Sequence, residues 1–292
     1  MCPVLATVLA LTIVTSNQSA LCPSGLVRYL HVPKAASSFA PTIWAYGCGR
    51  VPFAKLALRF QKGSRWGVTD LREITTAQKQ SECPCLSGSV YWTYRHIPLR
   101  GPEAELNAVG LFRSPAERVV SAFNYHLHAH ELNLEAHSAL RDAVATAKNR
   151  SEQIITFARW PGVAHVQTKM LLGYHVSSAY TPTPADVELA CSRVQRMKFA
   201  GVVSCFDESV ALFQRQFPAR YQSEPIRFRE TSHANETSSA RDMEFLLEGG
   251  YRDEPDSRVF CAAMSRFRVE LSRYGKVYPS PGCLAAMQGC TK

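Results

Sequence analysis

Apolar and polar positions along this chain fall into blocks that read as strands followed by helices. A short buried strand is predicted over 26–32 and a helix over 39–46. Residues 90–94 read as a strand. The apolar run 106–112 reads as another, and it leads at once into a helix from Pro115 to about His130. Helical periodicity returns over 152–159 and 166–172. A strand over 199–203 precedes a helix over 208–217, and 243–248 and 259–274 read as closing helices. Strand-then-helix alternation predicts a parallel sheet flanked by helices. The Pro-rich stretch 180–184 reads as loop punctuation. The expected fold is α/β: a single domain with a mostly parallel central sheet.

Residues 1–20 stand apart. No charged side chain precedes Arg28, and Val4–Val14 is a continuous run of mostly apolar residues. It is too short for a bilayer, which takes about 20 residues, and it fits the apolar region of a signal peptide. We expect a leader over 1–20 and one domain over 21–292. Membrane association would then run through the N-terminal segment alone. Of ten cysteines, loss of Cys2 with a leader leaves nine, so at least one is unpaired or bridges to another chain. This usage suits an oxidising compartment. Cys83-Pro-Cys85 lacks the two-residue gap of a zinc knuckle and reads as part of loop disulfides. Asn17, Asn149 and Asn235 head glycosylation sequons. With 46% hydrophobic residues the chain is no disordered tail. Its 33 Lys and Arg against 24 Asp and Glu leave +9, which favours anionic partners.

Two segments carry chemistry. The first is Tyr29-Leu-His-Val-Pro-Lys34-Ala35-Ala36-Ser37-Ser38-Phe39. A strand ends, a turn of small residues follows, and a helix begins. Such a turn aims main-chain N–H groups at one spot and lets the backbone approach an anion. Lys34 adds a point charge, and Ser37 and Ser38 add hydroxyls. The second is Leu111-Phe-Arg113-Ser114-Pro115-Ala-Glu117-Arg118-Val-Val-Ser121. Ser114 reads as an N-cap, Pro115 as the first helical residue and Glu117 as the partner in a capping box. Arg113 then lies at the carboxyl end of a strand, where open α/β sheets bind ligands. With Ser121 it could clamp one phosphate from two sides, since a guanidinium donates two parallel bonds. Arg118 reads as a solvated helix charge.

Together these segments resemble the sulfotransferases that use 3′-phosphoadenosine 5′-phosphosulfate (PAPS). The likeness is to the Golgi carbohydrate branch that includes the heparan sulfate 2-O- and 6-O-sulfotransferases. His31–Phe39 is similar to that family's loop for the 5′-phosphosulfate, and Arg113–Ser121 to its segment for the 3′-phosphate. Two further stretches, Gln167–Gly173 and Phe199–Ser209, echo later family motifs in the same order. Ala35-Ala36 replaces a commoner Thr-Gly or Gly-Gly, Lys169 replaces an Arg, and Ser204 a Glu.

The resemblance implies a P-loop-like architecture and in-line transfer of a sulfonyl group from PAPS to a carbohydrate hydroxyl, with no metal. The acceptor expected is an anionic polysaccharide, the place the Golgi lumen. It implies donor contacts at Lys34, Ala35, Ala36, Ser37, Ser38, Arg113 and Ser121, with Lys34 stabilising the leaving oxygen. His96, at the end of the 90–94 strand, is the candidate base, with Glu103 and Glu105 as substitutes. His126 and Lys169 are candidate acceptor contacts. His126 and His130 have metal-ligand spacing on a helix, but a place in the acceptor cleft is preferred. Arg215, Arg220, Arg227, Arg229 and Arg241 form a basic quarter suited to an acidic glycan, and 229–237 is the candidate loop over the nucleotide. Two other readings stay open. One is a non-catalytic binder of acidic glycans. The other is a kinase with a degenerate phosphate loop, which needs Mg²⁺ and a strand ending in Asp, and Thr69-Asp70 follows no apolar run. No motif for nucleic acid is evident.

Overall fold

The computed structural model describes residues 22–36, 39–48, 83–87, 96–125, 127, 134–218, 236–274 and 278–290. The predicted strand at 90–94, the leader, Ser37, Ser38, His126, Asp70 and the 229–235 segment lie outside the described residues.

The fold is mixed α/β, mostly helical, around a small parallel sheet. Strand β1 (Arg28–Leu30) pairs with β2 (Ala108–Phe112), and β2 with β3 (Phe199–Val202), in the order β1-β2-β3. Tyr29 sits opposite Val109, and Val109 opposite Phe199. Every residue of β2 is buried, which is why Ala-Val-Gly-Leu-Phe runs without alternation. Helix α1 (Ala40–Gly47) follows β1, and a short α2 (Pro102–Leu106) leads into β2. Helix α3 (Pro115–Phe123) leaves β2. Then come α4 (Leu134–Ala145), α5 (Arg150–Ala158), α6 (Val166–Leu172) and α7 (Pro184–Arg196). Beyond β3 lie α8 (Phe206–Gln216), α9 (Glu236–Glu248), α10 (Glu254–Tyr274) and α11 (Pro281–Gln288).

The core has two parts. The larger surrounds the sheet, where Phe39 packs against Phe199 and Phe213, so the loop after β1 is anchored by a fully buried ring. The smaller joins α3, α4, α5 and α9 through residues such as Val119, Phe123, Leu140, Phe157 and Leu246.

Three local expectations change. The helix from Pro115 ends at Phe123, short of His130. Ser114 makes no side-chain cap bond, and the Glu117 carboxylate stands 3.6 Å from Arg113 Nε instead of closing a capping box. A capping box does form at Thr183 and Asp186, opening α7 directly behind the Pro-rich stretch that reads as loop. Asn149 caps α5 through Oδ1, which accepts from Glu152 N.

Disulfides join Cys22 to Cys85, Cys48 to Cys83, Cys205 to Cys283 and Cys261 to Cys290. Cys83 and Cys85 thus serve loop disulfides, and Cys191 is the free thiol among the described residues. Four bridges suggest an oxidising, secretory or extracellular environment. No helix of the described residues is long and apolar enough to cross a membrane.

Candidate functional site

All three strands point their carboxyl ends at one edge of the sheet, and the loop after each strand opens there. The first is 31–36. Lys34 and Ala36 both adopt left-handed backbone, at φ 60° and 54°. Left-handed residues inside a tight turn swing successive N–H groups to one side, the arrangement of an anion-binding concavity. The turn is held by Ala35 N to Val32 O at 3.1 Å and Phe39 N to Ala36 O at 3.0 Å. Non-glycine residues hold this conformation at a cost, and such strain collects at functional sites.

The second loop carries Arg113. Its Nη1 donates to Lys34 O at 3.2 Å, so the two chemical segments meet directly. Its Nε is buried without a hydrogen-bond acceptor, and the Glu117 carboxylate stands at 3.6 Å. Burial pulls the guanidinium pKa below its ordinary value, while Glu117 opposes the shift. The group stays charged near neutrality, as arginine does. A charged donor with an unfilled position, beside a left-handed turn, fits an oxyanion such as a nucleotide phosphate.

Gln167 on α6 fixes where Arg113 stands. Its Oε1 accepts from Arg113 N at 3.0 Å and its Nε2 donates to Arg113 O at 2.9 Å. Gln167 is in turn held by Asp256 of α10, which accepts from Gln167 N, Thr168 N and Thr168 Oγ1. Arg118 closes this network from α3. It is buried rather than solvated, bonds Val163 O and lies 3.9 Å from Asp256. Burial and the neighbouring Asp253 push the Asp256 pKa up.

His96 is buried beside the first loop. Its Nδ1 lies 2.7 Å from the main-chain oxygen of His31, and the two imidazoles are 4.4 Å apart. A carbonyl only accepts, so Nδ1 carries the proton, and in the neutral ring Nε2 holds the lone pair.

The remaining candidates divide. Ala35 and Ala36 lie in the turn with Lys34. Ser121 is half-buried on α3 and makes no hydrogen bond among the described residues. Lys169 is drawn inside. Its ammonium donates to the carbonyls of Pro161, Val176 and Ser178, and burial pulls its pKa down to about 8. It tethers the chain after α6 and does not face a cleft, so an acceptor contact at Lys169 does not fit this placement. Glu105 is likewise engaged, paired with Arg193 and Arg196. Among the described residues no group of three His, Cys, Asp or Glu is arranged to hold a metal ion.

Two functional residues escape the sequence reading. Tyr125, just past α3, places its ring 4.0 Å from the Lys34 ammonium. Gln167 is visible only as an echo of a motif, and its clamp on Arg113 joins positions far apart in sequence. The third loop shows why Phe199–Ser209 is patterned as it is. A Cβ on Gly201 would stand 2.5 Å from Leu111 Cδ2, and Ser209 Oγ bonds both Val202 N and Val202 O at 3.0 Å. Those residues pack strand against helix, while Ser204 leaves a buried hydroxyl without a partner at the site edge.

No protein-family model, curated protein or solved structure matches this chain.

Proposed function

We propose that the protein transfers a sulfonyl group from PAPS to a hydroxyl of an anionic carbohydrate, within the Golgi lumen and on a P-loop-like sulfotransferase scaffold. The observation that carries this reading is the contact of Arg113 with Lys34 O at the carboxyl edge of a parallel sheet. It joins the two segments that resemble the 5′-phosphosulfate and 3′-phosphate sites. In this reading Arg113 takes the 3′-phosphate, with Ser121 as a second donor. The turn around Lys34 takes the 5′-phosphosulfate, and the Lys34 ammonium meets the charge that grows on the bridging oxygen.

Lys34 now rests on Tyr125. An exposed cation–π contact is worth about 0.5–1 kcal/mol, whereas a hydrogen bond to a charged group is worth about 1.5–3 kcal/mol. In this reading the Lys34 ammonium exchanges its contact with the Tyr125 ring for one with the bridging oxygen. His96 accepts the acceptor hydroxyl's proton on Nε2 as that oxygen attacks sulfur, and the bridging S–O bond breaks to release the bisphosphate.

The test is the melting temperature of the full chain with adenosine 3′,5′-bisphosphate and, separately, with ATP and Mg²⁺. A ligand at about 100 times its Kd adds about 2.7 kcal/mol. Stabilisation by the bisphosphate alone is expected. Arg113→Ala should weaken the bisphosphate far more than adenosine 5′-phosphate, and Lys34→Ala should abolish transfer with the fold intact. Response to ATP and Mg²⁺ alone would refute the reading in favour of a kinase.

A further inference from the structure

A cavity of about 230 Å³ opens beside the start of α6, separate from the residues of the donor site. Two guanidinium groups and an imidazole line it: Arg159 at the end of α5, Arg252 before α10, and His165 before α6. Arg159 and Arg252 are exposed and meet no carboxylate among the described residues. Tyr251 and Asp253 complete the wall and are both buried. Pockets for drug-sized ligands measure about 300–1,000 Å³. This one is suited to a single charged substituent or sugar unit, not to a second nucleotide.

The single acid in the wall is already committed. Asp253 accepts from His165 N at 2.9 Å, His165 Nδ1 at 2.7 Å, Tyr251 Oη at 3.3 Å and Asp256 N at 3.1 Å. Its charge is thus spent on His165 and on main-chain donors. To reach one carboxylate with both its main-chain N–H and its ring, His165 adopts left-handed backbone at φ 55°. A histidine held at such a φ is a locally strained residue over-determined by its surroundings. Its Nδ1 is occupied by Asp253, and the residue lines the cavity. Burial lowers the ring's pKa, but the bond and charge of Asp253, aided by Asp256 and opposed by Lys169, raise it overall. In mildly acidic surroundings the wall then carries Arg159, Arg252 and a charged His165 against one internally bonded carboxylate.

We propose that this cavity binds a sulfate or carboxylate group through Arg159, His165 and Arg252, and that the group belongs to an anionic polysaccharide. The oxyanion site rests on its own geometry, while the choice of polysaccharide rests on the function proposed above.

The experiment is calorimetric titration of the full chain at mildly acidic pH, using a heparin-type sulfated oligosaccharide and, separately, inorganic sulfate at matched ionic strength. The Arg159→Ala/Arg252→Ala pair is expected to weaken the oligosaccharide at least about tenfold. Its bisphosphate affinity should stay within about twofold of the parent. A control pair, Arg141→Ala/Arg273→Ala, removes equal charge from exposed helix positions elsewhere and should cost less than about threefold. Equal losses in both pairs would mean diffuse attraction to a basic surface and overturn the proposal, as would no loss in the first pair. Binding of inorganic sulfate without the oligosaccharide would overturn the assignment to polysaccharide. If the bisphosphate fails to bind but the Arg159/Arg252 dependence persists, the anion site stands and the sulfotransferase reading falls.

Discussion

Ala36 is left-handed where a residue without a Cβ would be unstrained. Left-handed backbone costs an L-residue about 1–2 kcal/mol, and glycine's greater freedom in the unfolded chain gives part of that back. Ala36→Gly should therefore stabilise the protein by roughly 1 kcal/mol, read as a raised melting temperature, with bisphosphate binding retained. No change would mean that the turn's conformation is not under strain at that position. His165 makes a second prediction at this scale. Its pKa is raised above the ordinary 6.5 in the folded state. A group raised on folding contributes stability fully below its unfolded value and loses it as pH rises through the folded one. His165→Asn keeps a residue that tolerates left-handed backbone. The stability gap between wild type and this variant should be widest near about pH 5 and shrink toward about pH 9. A gap that is flat across this range would show that the ring does not titrate against Asp253. Much was legible at the level of single residues. Lys34 and Arg113 were readable because each sits beside a strand end marked by small or capping residues. His165 was not, because its acid partner lies 88 residues away.

Helix α6 shows how a short element can transmit order. Val166–Leu172 was predicted with its observed boundaries, because its apolar spacing is local information. What the helix does was hidden. Gln167 grips both polar main-chain atoms of Arg113, and the grip depends on an aspartate from another helix. No spacing rule links those three positions. Gln167→Ala removes two hydrogen bonds to a partly buried strand end, a loss of about 1–3 kcal/mol. We expect roughly tenfold weaker binding of the 3′,5′-bisphosphate, with a smaller loss for adenosine 5′-phosphate. Equal loss for both nucleotides would mean a general loosening of the fold instead of displacement of Arg113. The neighbouring Thr183–Asp186 box makes the opposite point. Its capping signature was local and visible, yet the prolines around it pointed to a loop. Proline at the first helical position is compatible with a helix, so the cap decides the outcome.

For the whole molecule, the α/β class follows from alternation of strands and helices, but the sheet's small size does not. Among the described residues three strands share the burden with two hydrophobic clusters and four disulfides. The Cys205–Cys283 bridge ties the turn between β3 and α8 to α11 across a separation of 78 residues. In the chain-entropy account a loop of that length is worth about 4–5 kcal/mol. Replacing both cysteines with alanine should lower stability by an amount of that order in denaturant unfolding. A loss below about 1 kcal/mol would place the bridge outside the cooperative unit that unfolds. The pairing itself was not readable, since cysteine counts limit connectivity without choosing it.

The reach of α10 into the site also bears on how the protein is made. Asp256, near the start of that helix, organises Thr168 and Gln167, and through them the backbone of Arg113. During vectorial synthesis Arg113 emerges long before the carboxylate that steadies it. A nascent chain halted before residue 256 would already contain both the Lys34 and the Arg113 loops yet lack the support that aligns them. Under the proposed function, ligand affinity would thus be acquired late, and binding of the nucleotide would select for chains whose α10 has docked.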